Sequence, residues 1–167
     1  MAALSVGDPS DEDTDVGPVI DDDARERILE WIRATTGEVV TGGDTNDEGL
    51  IKPTVIVNPD PTDKVSCEEV FGPVVTLTRA ESLDQAIELA NSTRYGLQAG
   101  IFTGSLDTAL TAAQQLEFGG VTINEAPTFR TDQMPYGGVK DSGNTREGPR
   151  YAVRELTEER VVVIDLP

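Results

Sequence analysis

Residues 66–74, SCEEVFGPV, contain the single cysteine of the chain, with two carboxylates and an aromatic ring close behind it. A nucleophilic cysteine needs a neighbour that stabilises its thiolate, such as a basic side chain, a histidine or a helix N-terminus. Glu68 and Glu69 directly follow Cys67, and adjacent negative charge disfavours a thiolate. Cys67 is therefore predicted to be an ordinary small side chain rather than a nucleophile.

The carboxylate and the ring of this stretch can do chemistry of a different kind. Glu69 stands two residues before Phe71, and Gly72 and Pro73 then turn the chain into an apolar run. A carboxylate at the entrance of a strand can accept two hydrogen bonds from a vicinal diol such as that of a ribose. The aromatic side chain can pack on the sugar or on a ring. The alternative is an acidic turn before a strand, with no ligand.

Composition excludes several classes of site. The chain has 167 residues, no histidine and one cysteine, so histidine-dependent catalysis, histidine metal sites, Cys-rich zinc sites and internal disulfides are excluded. It has 31 acidic and 13 basic residues and a formal charge of −18. This charge disfavours binding to nucleic acids and to anionic membranes. It is typical of a soluble acidic protein or of a halophilic source.

Two further patterns are incomplete. Alternating acids in residues 11–17, DEDTDVG, resemble a calcium loop, but Val16 stands at the position where the turn requires glycine. The loop at residues 8–23 is therefore predicted to be exposed and acidic, and no metal site is predicted. The glycine-rich patterns that bind dinucleotides or nucleoside triphosphates at a helix N-terminus are absent from the sequence.

Helices and strands alternate along the chain. Helical spacing marks residues 21–37, 81–96 and 105–120, and Ser82 with Gln85 forms a capping-box pattern. Strand, helix, strand, helix, strand from residue 73 to residue 124 predicts an α/β fold whose βαβαβ core has a parallel sheet. A further helix is predicted at 151–156 and a strand at 161–166. The inward face of the helix at residues 105–120 is expected to consist of Leu106, Ala109, Leu110, Ala113 and Leu116.

Taken together, several stretches of the sequence resemble the aldehyde dehydrogenase superfamily. The matching stretches cover essentially the whole chain and include EEVFGPV, the spaced A-x-x-x-AN-x-T-x-YGL that ends at Leu97, GIFT, GGVTIN, PYGGVKDSGNTREG and the closing VVVI. Residues 123–143 are similar to the branch that acts on small oxygenated or anionic aldehydes, such as lactaldehyde or phosphonoacetaldehyde.

This resemblance implies a fold, a reaction and a cofactor. The chain corresponds to the C-terminal part of the catalytic domain, with residues 1–156 as a partial catalytic domain and residues 157–167 as a tail strand for oligomerisation. The full-length enzyme would oxidise an aldehyde to a carboxylic acid with NAD or NADP, through a cysteine thiolate and a glutamate base. A homo-oligomer, at least a dimer, and a cytoplasmic location are expected, with no nucleic-acid or membrane partner.

The resemblance also implies roles for single residues. Glu69 matches a ribose-binding carboxylate, and Phe71 matches the aromatic residue near the nicotinamide end of the cofactor. Asn124, Phe129 and Tyr136 fall on or near positions that line the substrate tunnel. Beside them, Arg130 could pair with an anionic substrate, or it could be a surface arginine paired with one of the many acids.

The family's catalytic segments are missing from these residues. The nucleophile lies in a segment resembling G-Q-x-C, the base and the oxyanion-hole asparagine lie further upstream, and none of these patterns occurs here. No catalytic residue is therefore predicted, and the isolated chain is expected to be inactive and to bind no cofactor tightly. The alternatives are a non-catalytic oligomerising or binding module derived from the family, or an acidic cation-binding protein.

Overall fold

The structure, a computed structural model, describes residues 1–166, and Pro167, the last residue of the predicted tail, lies outside them. The chain divides into two units, Met1–Ala80 and a second unit that begins at Glu81. Both units combine helices with a sheet that contains a parallel strand pair, so the predicted α/β class is confirmed. None of the helices within the described residues is both long and apolar enough to cross a membrane.

The first unit contains a three-stranded sheet with one helix packed on it. Its elements are α1 (Asp22–Ala34), β1 (Glu38–Thr41), β2 (Thr54–Val57), α2 (Lys64–Cys67) and β3 (Val74–Leu77). The strand order is β1-β2-β3, in which β1 runs antiparallel to β2 and β2 runs parallel to β3. Pro53 immediately precedes the central strand β2, where a residue without an amide hydrogen costs no ladder bond.

Helix α1 begins where the acids of the preceding loop end. The side chain of Asp21 accepts a hydrogen bond from the backbone N–H of Ala24 at 2.7 Å, and two further aspartates occupy the first turn. One face of the helix is buried through Ile28, Leu29 and Ile32, and these residues pack with Ile51, Ile56 and Val65. Each of these side chains contributes about 1.5–3 kcal/mol by leaving water.

Among the described residues of the first unit, Thr54 is the one polar residue that is fully buried, and its hydroxyl both donates and accepts a hydrogen bond. The hydroxyl donates to the carbonyl of Lys52 at 2.8 Å and accepts from the N–H of Gly43 at 2.9 Å. It therefore joins the start of β2 to the residues that follow β1. A buried hydroxyl with two partners costs little, whereas an unsatisfied one would cost about 1–3 kcal/mol.

The second unit is built from two βα repeats and a C-terminal helix. Its elements are α3 (Leu83–Asn91), β4 (Gln98–Ile101), α4 (Leu106–Gln115), β5 (Gly120–Ile123), a 3₁₀ helix (Lys140–Ser142) and α5 (Pro149–Leu156). Strands β4 and β5 are parallel, with Gln98 opposite Gly120 and Ile101 opposite Ile123. The hydroxyl of Ser82 caps α3 by accepting from Gln85, as predicted, and the Gln85 side chain accepts from the N–H of Glu81.

Two side chains tie the elements of the second unit together. The amide of Asn91, the last residue of α3, donates to the carbonyl of Gln115 and accepts from the N–H of Glu117, both at the end of α4. The ammonium of Lys140 donates to the carbonyls of Asn91 and Thr93 and pairs with Glu117 at 3.0 Å. The side-chain amide of Asn91 and the ammonium of Lys140 thus supply hydrogen-bond donors to backbone carbonyls at the C-terminal ends of α3 and α4.

Two expectations need correction within residues 1–166. The strands of the predicted βαβαβ core divide between the two units, with β3 in the first sheet and β4 and β5 in the second. Helix α4 buries Ala109, as predicted, and also Ala112, whereas Leu106, Leu110 and Ala113 are exposed, because tertiary contacts select one of its apolar faces. Residues 157–166 form no helix or strand in the single chain, and the tail strand for oligomerisation stays a prediction, since such a strand needs a partner for its hydrogen bonds.

Candidate functional site

Phe71 lies on a turn, residues 68–73, that connects α2 to β3, and we call this segment the Phe71 turn. Its side chain is 75 % exposed, although phenylalanine is ordinarily a buried residue. Its φ angle is +50°, a left-handed conformation that is rare for a bulky residue and costs about 1 kcal/mol or more. Exposure and strain together are typical of a side chain that is held ready for a ligand.

Helix α1 contacts the Phe71 turn and fixes its position. The guanidinium of Arg27 donates to the carbonyl of Val70 at 3.1 Å. A Cβ atom on Gly72 would lie 2.7 Å from the Cδ1 atom of Ile28, which is fully buried. The glycine is thus required by the close approach of the turn to the helix. The residues on either side of Phe71, Val70 and Gly72, are therefore both in contact with α1.

A shallow apolar concavity of about 510 Å³ lies beside the ring of Phe71. The residues that line it come from the loop before α1, from α1 itself and from the Phe71 turn: Val16, Gly17, Pro18, Val19, Ile20, Ala24, Arg27, Phe71, Gly72 and Pro73. The sequence reasoning missed Arg27 and the Val16–Ile20 segment, because they lie more than forty residues before the turn. No short-range signal in the sequence connects them to it.

The two other chemical side chains of this region differ in their surroundings. Glu69 is exposed, and among residues 1–166 its carboxylate has no recorded hydrogen-bond or ion-pair partner. Cys67 is partly buried, and its Sγ atom donates to the carbonyl of Thr62 at 3.4 Å. The carboxylate is thus open to a ligand, whereas the thiol is engaged with the backbone of its own helix entrance.

The substrate candidates of the second unit lie on the long loop between β5 and α5. Arg130 pairs with Glu147, with 2.7 Å between the Nη2 atom and the carboxylate oxygen, and its guanidinium carbon lies 4.1 Å from the centre of the Tyr136 ring. Tyr136 and Glu147 are joined by two backbone hydrogen bonds. The structure therefore brings Arg130 and Tyr136 into contact. Glu147, which the sequence analysis did not identify, forms bonds with both of them.

Asn124 and Phe129 stand at different points of the same loop. Asn124 has a φ of +57°, and its side-chain amide both accepts from the N–H and donates to the carbonyl of Thr103. This amide is thus used to join the ends of β4 and β5. Phe129 is about half exposed and lies directly before Arg130. No contact of Asn124 or Phe129 with the Arg130–Tyr136 pair is recorded within the described residues.

Three aspartates of the first unit have a lowered pKa. Hydrogen bonds from the hydroxyl and the N–H of Ser10 lower the pKa of Asp8, and those of Thr62 lower the pKa of Asp60. The pKa of Asp63 is lowered chiefly by the backbone N–H of Thr36. No group of three or more acidic or cysteine side chains that could hold a metal ion exists in the described part of the chain. The cation-binding alternative gains no support from this geometry.

Comparison with known proteins adds to this picture. Residues 1–162 match the model of the aldehyde dehydrogenase family. The chain is 44% identical over 165 residues to 3-sulfolactaldehyde dehydrogenase of Priestia aryabhattai, which covers 98% of this chain and 35% of that protein. It thus spans about a third of the length of this curated relative.

Solved structures agree with the family match. Aldehyde dehydrogenase 21 of Physcomitrella patens, in complex with the reaction product succinate, superposes with a TM-score of 0.91 and 41% identity, over 96% of this chain and 34% of that one. Glyceraldehyde-3-phosphate dehydrogenase of Methanocaldococcus jannaschii, complexed with NADP, gives a TM-score of 0.84 and 41% identity, over 92% of this chain and 34% of that one. The chain belongs to the aldehyde dehydrogenase family.

Proposed function

We propose that these residues form the C-terminal third of an NAD(P)-dependent aldehyde dehydrogenase and supply the rim of its cofactor and substrate sites. The observation that supports this proposal most strongly is Phe71, an exposed aromatic residue in a strained conformation on a turn fixed by α1. Strain of this kind persists only where the surrounding structure holds it, and it concentrates at ligand sites.

Glu69 and Phe71 are the residues that we propose for the cofactor. The Glu69 carboxylate accepts hydrogen bonds from the two ribose hydroxyls, and charge-assisted bonds of this type are about twice as strong as neutral ones. The ring of Phe71 packs near the nicotinamide end. Support comes from the exposure of both side chains and from the relative solved with bound NADP. The choice between NAD and NADP stays open in this proposal.

The substrate that we propose is a small aldehyde with an anionic group. Arg130 supplies the cation, Tyr136 supports it, and Asn124 and Phe129 belong to the same loop. Two of the relatives act on or release anions, namely a sulfolactaldehyde dehydrogenase and an enzyme crystallised with succinate. The ion pair with Glu147 keeps the Arg130 guanidinium at this position. The same ion pair also agrees with the alternative prediction, in which Arg130 is a surface arginine paired with an acid.

We further propose that the 167 residues alone do not oxidise aldehydes. Cys67 has acidic neighbours and donates to a backbone carbonyl, and no other thiol is present. The reaction needs a nucleophile and a base, and the family keeps both in segments that these residues do not match. Incubation with NAD or NADP and a panel of aldehydes is expected to give no sustained formation of reduced cofactor.

The tail at residues 157–167 is proposed to pair with a second copy of the chain. Val161, Val162, Val163, Ile164 and Leu166 are all exposed in the single chain. An unpaired run of β-branched residues readily adds to the edge of another sheet. Deletion of residues 161–167 is expected to shift the chain from an oligomer to a monomer in sedimentation velocity, whereas an unchanged oligomer would contradict this assignment.

A chimera tests the enzyme proposal directly. In this chimera, residues 1–162, which match the family model, replace the corresponding segment of the Priestia sulfolactaldehyde dehydrogenase, and oxidation of its aldehyde with NAD and NADP is measured. We expect activity, and we expect Glu69→Gln and Phe71→Ala each to raise the KM for the cofactor by about tenfold.

The matched control is Phe102→Ala, because Phe102 is a similarly exposed phenylalanine at 72 %. This substitution should leave the cofactor KM unchanged. A folded chimera without activity, or equal effects at residues 71 and 102, would refute the proposed roles.

A further inference from the structure

A hydrogen bond holds one edge of the Arg130 guanidinium, and an aromatic ring covers one of its faces. Its Nη2 atom donates to Glu147 at 2.7 Å, and its carbon lies 4.1 Å from the centre of the Tyr136 ring. Within residues 1–166 this is the one side-chain hydrogen bond recorded for the guanidinium. The group therefore has a set position although it is about half exposed.

Both supports of Arg130 come from one small piece of backbone structure. The N–H of Tyr136 donates to the carbonyl of Glu147 at 3.2 Å, and the N–H of Glu147 donates to the carbonyl of Tyr136 at 2.6 Å. Next to this bridge, the guanidinium of Arg146 donates to the carbonyls of Gly138 and Thr145. The ring and the carboxylate are thus held at a fixed separation, and Arg130 lies against both of them.

The remaining edge of the Arg130 fork is suited to an oxoanion. A guanidinium has five N–H donors in one plane, and two parallel donors match the oxygens of a carboxylate, sulfonate or phosphonate. Glu147 uses one donor and the Tyr136 ring covers one face. An anion on the open edge would lie about 6 Å from the Glu147 carboxylate, a distance at which two unit charges in water repel enough to change affinity about threefold.

We propose that Glu147 is a positioning residue for Arg130 and that its charge lowers the affinity of this site for dianionic head groups more than for monoanionic ones, such as sulfonate or carboxylate. This inference rests on the proposed function, because it assumes that Arg130 meets the anionic part of the substrate. Arg130 attracts a dianion twice as strongly as a monoanion, and Glu147 repels it twice as strongly. Glu147 therefore lowers the ratio of dianion affinity to monoanion affinity below the value that Arg130 alone would give.

The test uses the 167-residue chain and two small probes of similar shape. Methanesulfonate is a monoanion, and methylphosphonate is a dianion above its second pKa. Dissociation constants are read at low ionic strength from the NMR shifts of the Arg130 Nε–H and the backbone amides of Tyr136 and Glu147. Glu147→Gln should shift the affinity ratio towards the dianion by about threefold.

Two comparisons make the result decisive. Glu147→Asp keeps the charge and should keep the affinity ratio of the unaltered chain. Glu88→Gln makes the same change in net charge on the exposed side of α3 and should leave the ratio unchanged.

Two failures would be distinguishable. If anions shift the Arg130 signals but Glu147→Gln leaves the ratio unchanged, the inference about Glu147 is wrong and the anion role of Arg130 stands. If no anion shifts these signals in any variant, the anion role of Arg130 is wrong, and the inference about Glu147 falls with it.

Discussion

Two asparagines perform the same task in the two units. Asn58 follows β2 with a φ of +49°, and Asn124 follows β5 with a φ of +57°. The backbone N–H of Asn58 donates to Leu77, and its side chain accepts from the N–H of Arg79, while Asn124 bonds Ile101 and Thr103 in the same way. Each asparagine thus extends a parallel strand pair by one residue, in a conformation that asparagine tolerates better than other side chains.

Substitution of Asn58 separates the hydrogen bond from the backbone conformation. Asn58→Ala should lower the free energy of unfolding by about 1–3 kcal/mol, because it loses the bond to Arg79 and strains a left-handed residue. Asn58→Gly should cost less, since glycine accepts the positive φ. Urea unfolding of the three proteins measures both effects, and equal losses for alanine and glycine would show that the conformation contributes nothing.

Asp63 joins the end of α1 to the start of α2 and gives the fold a dependence on pH. Its carboxylate accepts from the N–H of Thr36 at 2.7 Å and from the hydroxyls of Thr35 and Thr36. These bonds lower its pKa below the ordinary value of 3.8. Because the folded pKa is the lower one, the carboxylate stabilises the fold above the ordinary value, and this stabilisation is lost as the pH falls through the folded pKa.

The pH dependence is expected to change when Asp63 is replaced. The melting temperature of Asp63→Asn should fall less steeply below pH 4 than that of the unaltered chain, because the variant has no carboxylate to protonate there. Asp47→Asn, at an exposed aspartate in the loop before Ile51, is the control and should follow the unaltered chain. Parallel curves for all three proteins would rule out a role for Asp63.

At the scale of elements, the Phe71 turn depends on its contact with α1. Gly72→Ala places a methyl group 2.7 Å from the Cδ1 atom of the buried Ile28, so either this terminal methyl group or the turn must move. The expected cost in unfolding free energy is about 1–3 kcal/mol, and in the chimera the KM for the cofactor should rise because Phe71 moves.

Gly104→Ala is the matched control for this substitution. Gly104 lies between β4 and α4, and a Cβ atom there would meet no atom within 4 Å. Gly104→Ala should therefore leave both stability and the cofactor KM close to their original values. A Gly72→Ala protein as stable as Gly104→Ala would show that the close approach of the turn to α1 is not needed.

The elements themselves could largely be predicted, whereas their contacts could not. The acids before α1, the Ser82–Gln85 cap and the β-branched runs are local signals. The helices and strands occur where these signals predict them as far as residue 156, whereas the β-branched run at residues 161–164 forms no strand in the single chain. The buried face of α4 was predicted to contain Leu106 and Leu110 together with Ala109, but the unit buries Ala109 and Ala112 and leaves both leucines exposed. Hydrophobicity alone cannot distinguish two apolar faces of one helix when tertiary contacts select between them.

The candidate site shows the same limit. The Gly72-Pro73 turn and the nearby Glu69 and Phe71 are visible in a short stretch of sequence. The bond from Arg27 to Val70 and the bond from Arg130 to Glu147 join residues 43 and 17 positions apart. Pairings of this length follow from the fold rather than from any local pattern, so Glu147 could not be found in advance among the other acids.

At the scale of the whole molecule, charge is the dominant feature. A formal charge of −18 on 167 residues places many like charges on the surface, and their mutual repulsion opposes the compact state. Salt shortens the range of this repulsion to about 3 Å at 1 M. We therefore expect the melting temperature to rise steadily as KCl is added to this concentration.

A control separates screening from specific cation binding. Tetramethylammonium chloride at equal ionic strength should give a similar rise, because screening depends on charge and not on the identity of the ion. A melting temperature that is flat or falls with added salt would contradict the view that surface repulsion limits the stability of this chain.

The central claim is that this polypeptide supplies the rim of an aldehyde dehydrogenase site but not the sulfur that attacks the aldehyde. The most direct measurement is the formation of reduced cofactor by the 167-residue chain, with NAD or NADP and a panel of aldehydes, with and without Cys67→Ser. We predict no sustained formation by either protein, because attack on the aldehyde needs a thiolate that these residues do not supply. Sustained formation by the unaltered chain that is lost in Cys67→Ser would contradict the claim and make Cys67 the nucleophile.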